Sequence, residues 1–277
     1  MDYFKPTILG TAEEPLSLTG HIESLLYIIG CWQYLFKSAE LKELVKKLRN
    51  IMTLWVAKPT LVHLEAIRFY ELQSALRLFP AGGRVLELGS GTGWQAKTLD
   101  DLNYEVEALD LPSSKYKGDR VWQVNEYDGH NLPFDDNYFD VVYSSNVLEH
   151  IPHVEIFQKE IQRVLKPHGR AIHLLPSSSW RLLTNITYPL KFWMFADVHG
   201  EFARHASTEI FYFSRHWWRR LFIKAGWKIE KICGAKVLYS GTQLMDARIS
   251  IRNRLRLSYC FGSACYIYVL KQDHKSG

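Results

Sequence analysis

Hydrophobic positions along the chain follow three successive patterns, and the first is helical. In the segment SAELKELVKKLRNIM, the residues Leu41, Leu44, Val45 and Leu48 recur at i, i+3, i+4 and i+7. This spacing is typical of an amphipathic helix with a lysine-rich outer face. A Pro-Ala-Gly-Gly sequence then stops the pattern. We therefore predict a helical N-terminal extension over residues 1–80.

The second pattern alternates short apolar runs with loops or helical segments, from Arg84 to Leu175. The runs are RVLEL, EVEALD, VWQVN, FDVVYSS and RAIHLLP. Such alternation predicts a mostly parallel sheet of an α/β protein. An aromatic and basic stretch follows, and then two further strand-like runs, WKIEKI and CYIYVL. We predict one α/β domain over 81–277, with an insertion at 177–210 that binds the acceptor substrate.

A glycine-rich loop, in VLELGSGTGW, connects the first predicted strand to a helix. Glycine occupies positions 89, 91 and 93, and Trp94 stands where a dinucleotide fingerprint requires its third glycine. Ligands of open α/β sheets bind at this edge, where glycine lets the backbone approach them closely. The spacing disfavours an NAD-dependent oxidoreductase.

Two carboxylates follow the next two predicted strands. Asp110 ends the second strand, 21 residues after Gly89, where a carboxylate can accept both hydroxyls of a ribose. Asp128 follows the third strand and can accept from an adenine amino group. For Asp128, a simple turn in YDGHN is the alternative interpretation.

Two histidines are candidate catalytic bases, His150 in NVLEHIPH and His199 in HGE. Histidine is suited to accept a proton near neutral pH. The alternative for His150 is that it caps a helix and lines the cofactor pocket. The alternative for His199 is an ordinary hydrogen-bonding role in a loop.

Composition bounds the class of protein. The chain is 47% hydrophobic and 23% charged, which excludes an intrinsically disordered protein. Four cysteines without a CxxC pair predict no disulfide framework and no metal site. We see no secretory signal, and the longest apolar stretch, 12 positions, is too short to cross a bilayer. These features predict a cytoplasmic protein.

The net charge of +5 is unevenly distributed. From Glu201 to Cys260 the chain holds 12 Lys or Arg against 4 Asp or Glu. The segment ARISIRNRLRL carries four of these arginines, at 248, 252, 254 and 256. This basic zone is either a solvated face or a surface for an anionic substrate or a membrane.

Several motifs in order resemble those of class I S-adenosylmethionine-dependent methyltransferases of the type 11 kind. They are VLELGSGTG, ALDLP, YDGHNLPFDDNYFDVVYSSNVLEHIPH and EIQRVLKPHGRAIHLLP. The resemblance implies a Rossmann-like sheet of seven strands in the order 3-2-1-4-5-7-6, with the last strand antiparallel. It also implies S-adenosyl-L-methionine as the cofactor, with the N-terminal extension as a lid over the site.

The resemblance assigns the cofactor contacts along the motifs. The methionine part would meet Glu87, Gly89, Ser90, Gly91, Thr92 and Gly93; the ribose Asp110 and Leu111; the adenine Asp128 and Gly129; and the sulfonium end Ser144, Ser145 and Asn146. A short link between the second and third strands leaves little room for the helix that usually lies there.

The function implied is methyl transfer, to a hydroxyl of a sugar, a glycolipid or another small molecule. Similar chains are often linked to polysaccharide biosynthesis, which agrees with the arginine-rich zone. The alternatives are a protein that binds the cofactor without catalysis, or transfer to a quinone, lipid or RNA. We expect no nucleic-acid partner, whereas peripheral membrane contact and the oligomeric state stay open.

Overall fold

The computed structural model describes residues 61–192, 194–242 and 249–273 of the 277-residue chain. Its helices are α1 (Leu61–Leu76), α2 (Trp94–Asp101), α3 (Val154–Val164), α4 (Ser178–Phe192), α5 (Glu209–Tyr212), α6 (Arg215–Lys224) and α7 (Ile251–Phe261). Its strands are β1 (Arg84–Leu88), β2 (Glu105–Asp110), β3 (Asn125–Glu126), β4 (Phe139–Ser145), β5 (Leu165–Pro176), β6 (Trp227–Gly234) and β7 (Cys265–Gln272). Short 3₁₀ turns lie at Lys117–Asp119 and Leu148–His150.

The seven strands form one sheet in the order β3-β2-β1-β4-β5-β7-β6. Neighbouring strands from β3 to β5 pair in parallel, whereas β7 pairs antiparallel with both β5 and β6. The predicted topology is therefore confirmed. Because the strand order reverses between β1 and β4, their carboxyl ends open a crevice in which ligands of such sheets bind.

The core lies on both faces of the sheet, since successive side chains of a strand point to opposite faces. In β1, Leu86 and Leu88 pack into one buried cluster and Val85 into the other. Helix α6 buries Trp218 and Phe222 against the first cluster, as its spacing predicts. The carboxyl ends of the parallel strands are therefore where a site is expected.

The third strand is shorter than predicted. The run VWQVN (residues 121–125) predicts a strand, but only Asn125–Glu126 pairs with β2. Val124 and Trp122 instead pack against α2 at Ala96, which holds this segment out of the sheet. The short link before it contains a single 3₁₀ turn, so the predicted lack of a helix there is confirmed.

The predicted N-terminal extension over residues 1–80 lies largely outside the described residues, which begin with α1 at Leu61. Helix α1 is anchored to the segment between β6 and α7, because Glu71 accepts a hydrogen bond from the Tyr239 hydroxyl at 2.9 Å. None of the helices in 61–192, 194–242 and 249–273 is long and apolar enough to span a membrane.

The arginine-rich segment differs from a uniformly solvated face. Arg254 is buried in α7 and donates to the carbonyl oxygens of Leu238 and Ile249. It therefore fixes the approach of α7, and only Arg252 and Arg256 are exposed there. Arg248, the fourth arginine of the prediction, lies outside the described residues.

Candidate active site

The glycine loop lies at the carboxyl end of β1, as predicted, and depends on glycine at its first position. Gly89, Gly91 and Gly93 all have positive φ, at 67°, 57° and 79°. A Cβ on Gly89 would overlap the side chain of Val147, which follows β4. The loop therefore lies close to the neighbouring strand end and leaves its backbone facing the crevice. Ser90 and Thr92 belong to the same turn, in which the Gly93 amide donates to the Ser90 carbonyl at 2.8 Å.

Asp110 connects this loop to β2. Its Oδ2 accepts from the Gly91 amide at 3.0 Å, and its Oδ1 accepts from the Leu111 amide at 2.8 Å. An ionised carboxylate can accept about four hydrogen bonds, so about two positions remain for ribose hydroxyls. The structure thus brings together the residues predicted for the methionine and the ribose.

Glu87 is a buried carboxyl at the end of β1, directly below the glycine loop. It is 3% exposed, and burial raises the pKa of its carboxyl to about 8. Its Oε2 has no hydrogen-bond partner among the described residues. A carboxyl in this position can pair with a cationic group, and the ammonium of a bound methionine is one.

The residues predicted to contact the adenine lie in a turn that is stabilised by its own hydrogen bonds. Asp128 accepts from the amides of His130 and Asn131, both at 2.7 Å, and these bonds lower the pKa of its carboxyl to about 2. Gly129 has φ of 83° and lies against Leu111. The turn interpretation of Asp128 therefore describes its contacts here, while an adenine contact stays a prediction.

The three residues predicted at the sulfonium end separate into two environments. Ser144 is fully buried, and its hydroxyl forms a 2.8 Å hydrogen bond with His173 Nδ1 on β5. This hydroxyl is used inside the sheet, and a cofactor contact of Ser144 stays a prediction. Ser145 is the last residue of β4 and Asn146 follows it; Asn146 adopts a positive φ of 55° and donates to the Ser145 hydroxyl.

His150 and Glu149 lie in the 3₁₀ turn that follows β4, anchored by the fully buried Leu148. The His150 Nε2 is 3.9 Å from Glu149 Oε1. Burial lowers the pKa of His150 to about 4 and raises that of Glu149 to about 8. Both side chains are therefore predominantly uncharged at neutral pH. Glu149 precedes His150 in the motif NVLEHIPH, where the sequence predicts that both cap the helix and line the cofactor pocket.

His199 comes from the acceptor insertion and contacts His150 across the site. Their ring centroids are 4.7 Å apart at an interplanar angle of 68°. Trp180 lies on another side of His199, with centroids 4.9 Å apart. Burial is the main reason that the pKa of His199 lies well below its ordinary value. The two predicted catalytic histidines, 49 positions apart in the sequence, thus meet in one buried cluster.

The backbone of His199 is held by a buried ion pair. Glu209 Oε1 accepts from the amides of His199 at 2.7 Å and Gly200 at 2.6 Å, while Arg181 Nε lies 2.9 Å from Glu209 Oε2. Arg181 is only 2% exposed. Arg181 belongs to the insertion predicted to bind the acceptor, but its guanidinium is used to position the loop.

A set of buried polar side chains connects α1 to the sheet, and the sequence did not predict it. Arg68 Nη1 donates to Glu71 at 2.9 Å and to Tyr239 at 3.3 Å. The Tyr239 hydroxyl also lies 3.3 Å from Cys265 Sγ, which in turn is 3.5 Å from Asn146 Oδ1. Arg68 and Tyr239 are 171 positions apart, so no local pattern signals the contact.

The sheet order, the glycine loop and the acidic residue that ends β2 together define a class I methyltransferase. A family model described as "Methyltransferase domain" matches residues 64–232, which is more than half of the chain. The chain belongs to this family. The predicted class of protein is thereby confirmed, with S-adenosyl-L-methionine as its cofactor.

Comparison with individual proteins agrees with this assignment. The ubiquinone/menaquinone biosynthesis C-methyltransferase UbiE of Chromobacterium violaceum is 35% identical over 117 residues, which are 38% of this chain and 47% of that protein. The chain thus spans about half the length of this curated relative. An S-adenosylmethionine dependent methyltransferase from Mesorhizobium loti has a similar fold, with a TM-score of 0.50 and 16% identity over 73% of this chain and 98% of that one. A chain from the complex between the Haloferax volcanii Trm112 methyltransferase activator and the putative methyltransferase is also similar. The TM-score is 0.55 and the identity 17%, over 77% of this chain and 93% of that one.

Proposed function

We propose that this protein transfers the methyl group of S-adenosyl-L-methionine to a hydroxyl of a small, polar, glycan-like acceptor. The observation that carries the proposal is the contact between His150 and His199 at the carboxyl edge of the sheet. One histidine follows β4, next to the predicted cofactor residues, and the other belongs to the acceptor insertion. Methyl transfer from a sulfonium needs alignment above all, but a hydroxyl acceptor must also lose its proton.

The electrostatics of the cluster support a hydroxyl acceptor. The pKa values of both histidines are lowered by burial, so their imidazoles are neutral at pH 7 and retain a lone pair. The cluster is therefore the place where the acceptor hydroxyl would be held and deprotonated.

A neighbouring cavity supports an acceptor that carries an anionic group. It has a volume of about 550 Å³, within the usual range for ligand pockets, and shares Phe213 with the surroundings of His199. Arg215 and Arg219 of α6 line it, together with Ser178 and Ser179 at the start of α4. Guanidinium groups suit phosphate or carboxylate.

A second candidate acceptor is a quinone. The relative named above is a ubiquinone/menaquinone C-methyltransferase, and its similarity lies within fewer than half of this chain's residues. The aromatic rings of Trp180 and Phe213, 6.0 Å apart beside His199, would suit a planar acceptor as well. Transfer to a ring carbon would leave the hydroxyls of the acceptor unmethylated, so the product distinguishes the two candidates.

The test is a transfer assay with methyl-labelled cofactor against fractionated small molecules, glycans and lipids, followed by location of the label. We expect an O-methyl product, lost in His150→Gln and His199→Gln and retained in His205→Gln, whose imidazole is exposed in the same insertion. Label on a ring carbon would favour the quinone. Cofactor binding without label in any fraction would favour a binding protein without catalysis.

A further inference from the structure

Glu149, His150 and His199 form a cluster of three potential metal ligands. One ligand atom from each residue lies within 4.8 Å of those from the other two. Two imidazoles and one carboxylate are a donor set that proteins use for catalytic zinc and for non-haem iron. The cluster lies at the join of the predicted cofactor and acceptor segments.

Glu149 supplies an independent indication of a missing ligand. Its side chain is fully buried, yet neither carboxylate oxygen accepts a hydrogen bond from another residue among those described. Buried carboxyl groups normally have partners, because an unsatisfied one costs stability. Two cationic side chains whose charges act on the cluster have carboxylates of their own, since Arg68 pairs with Glu71 and Arg181 with Glu209.

The backbone around the cluster is held in place for ligation. The Glu201 amide donates to the Glu149 carbonyl at 3.0 Å, which joins the insertion to the turn after β4. A Cβ on Gly200 would lie 2.9 Å from that same carbonyl, so glycine permits this close approach. Glu209 fixes the other side of His199 through the amides described above. Such outer contacts are typical of metal sites.

We propose that Glu149, His150 and His199 bind one divalent transition-metal cation, of the kind represented by Zn²⁺ or Co²⁺. Bonds to nitrogen and oxygen of about 2.0–2.2 Å require the three donors to move closer together than they are here. His199 lies on a loop, and its ring can supply this movement. Three protein ligands leave a fourth position open for an oxygen of water or substrate.

The use of this cation rests on the proposed function. A hydroxyl of the acceptor at the open position would have its pKa lowered and lose its proton to water. The oxygen then forms a bond to the methyl carbon as the bond from carbon to sulfur breaks, and the electron pair of that bond stays on sulfur. The products are the methyl ether and S-adenosylhomocysteine.

The experiment is a titration of the metal-free full-length protein with Co²⁺, followed by calorimetry and by visible absorption. We expect one equivalent bound with the intense absorption of four- or five-coordinate Co²⁺, and competition by Zn²⁺. His199→Gln and Glu149→Gln should each weaken binding at least about 100-fold, beyond the loss caused by an outer-shell change. Glu209→Gln, which loosens the His199 backbone, should weaken it by about 10- to 100-fold.

Matched controls are His205→Gln and Glu201→Gln, which replace exposed residues of the same insertion and should bind Co²⁺ like the parent. Circular dichroism would establish that each variant is folded. The proposal is overturned if the parent binds no stoichiometric Co²⁺. It is equally overturned if the folded His199→Gln variant keeps the parent's affinity and spectrum.

Failure of this inference can be distinguished from failure of the proposed function. If protein treated with a chelator still transfers methyl groups at the full rate, the proposed cation is not needed and the proposed function still stands. Stoichiometric Co²⁺ binding that depends on His199, without any transfer, would support the site and count against hydroxyl methylation.

Discussion

The cofactor side and the acceptor side of this protein are built in different ways. On the cofactor side, residues 87–110 form one continuous strand, loop, helix and strand, and the main contact is from a backbone amide to Asp110. On the acceptor side, side chains distant in the sequence pair inside the protein, as Arg181 does with Glu209 and His150 with His199. The first side depends on local backbone geometry, and the second on long-range burial of polar groups.

This difference predicts how each side responds to substitution. Changes on the cofactor side should alter affinity for the cofactor and leave the fold intact, because the loop lies at a strand end. Changes to the buried pairs of the acceptor side should destabilise the fold first, because an ion that loses its partner inside a protein is costly.

The largest effect is expected for Arg181→Ala. The substitution leaves Glu209 buried without its cation, and breaking such a pair costs about 3–5 kcal/mol. Urea unfolding would measure the loss. The control is Arg204→Ala, an exposed arginine of the same insertion, which should change stability little. A change below about 1 kcal/mol for Arg181→Ala would break the comparison and restore an acceptor-binding role for this arginine.

Gly91→Val should weaken cofactor binding by about 3 kcal/mol, or more than 100-fold. The residue has φ of 57° in the loop predicted to contact the cofactor, and its Cβ would lie 3.3 Å from the Tyr116 ring. Gly82→Val is the matched control, because Gly82 also has positive φ but has open space around its Cβ position. Calorimetry with S-adenosylmethionine gives both values. Equal losses in the two variants would assign the effect to backbone strain alone.

Asp110→Ala should weaken cofactor binding by about 1.5–3 kcal/mol, the range for hydrogen bonds to a charged group. Since Asp110 also holds the Gly91 amide, a cofactor analogue without ribose hydroxyls separates the two roles. The parent should bind this analogue less tightly than the cofactor, and the variant should not distinguish them. If Asp110→Ala still binds the cofactor more tightly than the analogue, the ribose lies elsewhere. The control is Asp119→Ala, which replaces an exposed residue after β2.

The smallest effect is expected for Ser144→Ala. It removes the buried hydrogen bond to His173 and should reduce stability by about 1 kcal/mol, with cofactor affinity unchanged. Ser145→Ala, one residue nearer the crevice, is the matched variant. A tenfold loss of cofactor affinity in Ser144→Ala would show that this serine serves the cofactor after all.

The sequence predicts the fold and the positions of the glycine loop and Asp110 well, for a physical reason. Strand alternation, the glycines of the loop and Asp110 at a strand end are consequences of local geometry, and local geometry is visible in a short motif. The pairing of Arg181 with Glu209 is not, because an arginine that follows a tryptophan looks the same in the sequence whether it faces a ligand or a buried carboxylate. The hydrogen bond of Ser144 could not be predicted for a related reason, since its partner His173 lies on the next strand of the sheet.

The order of the strands also has a consequence for synthesis of the chain. Strand β6 pairs with β7 alone, and β7 is inserted between β5 and β6. While the protein is made from its N-terminus, β6 leaves the ribosome with no neighbour to receive its hydrogen bonds. Cys265, which contacts both Asn146 and Tyr239, arrives with the same last strand. The side of the crevice at Asn146 is thus completed only when residues 265–272 have emerged, and a nascent protein lacking them exposes an unpaired strand to which chaperones can bind.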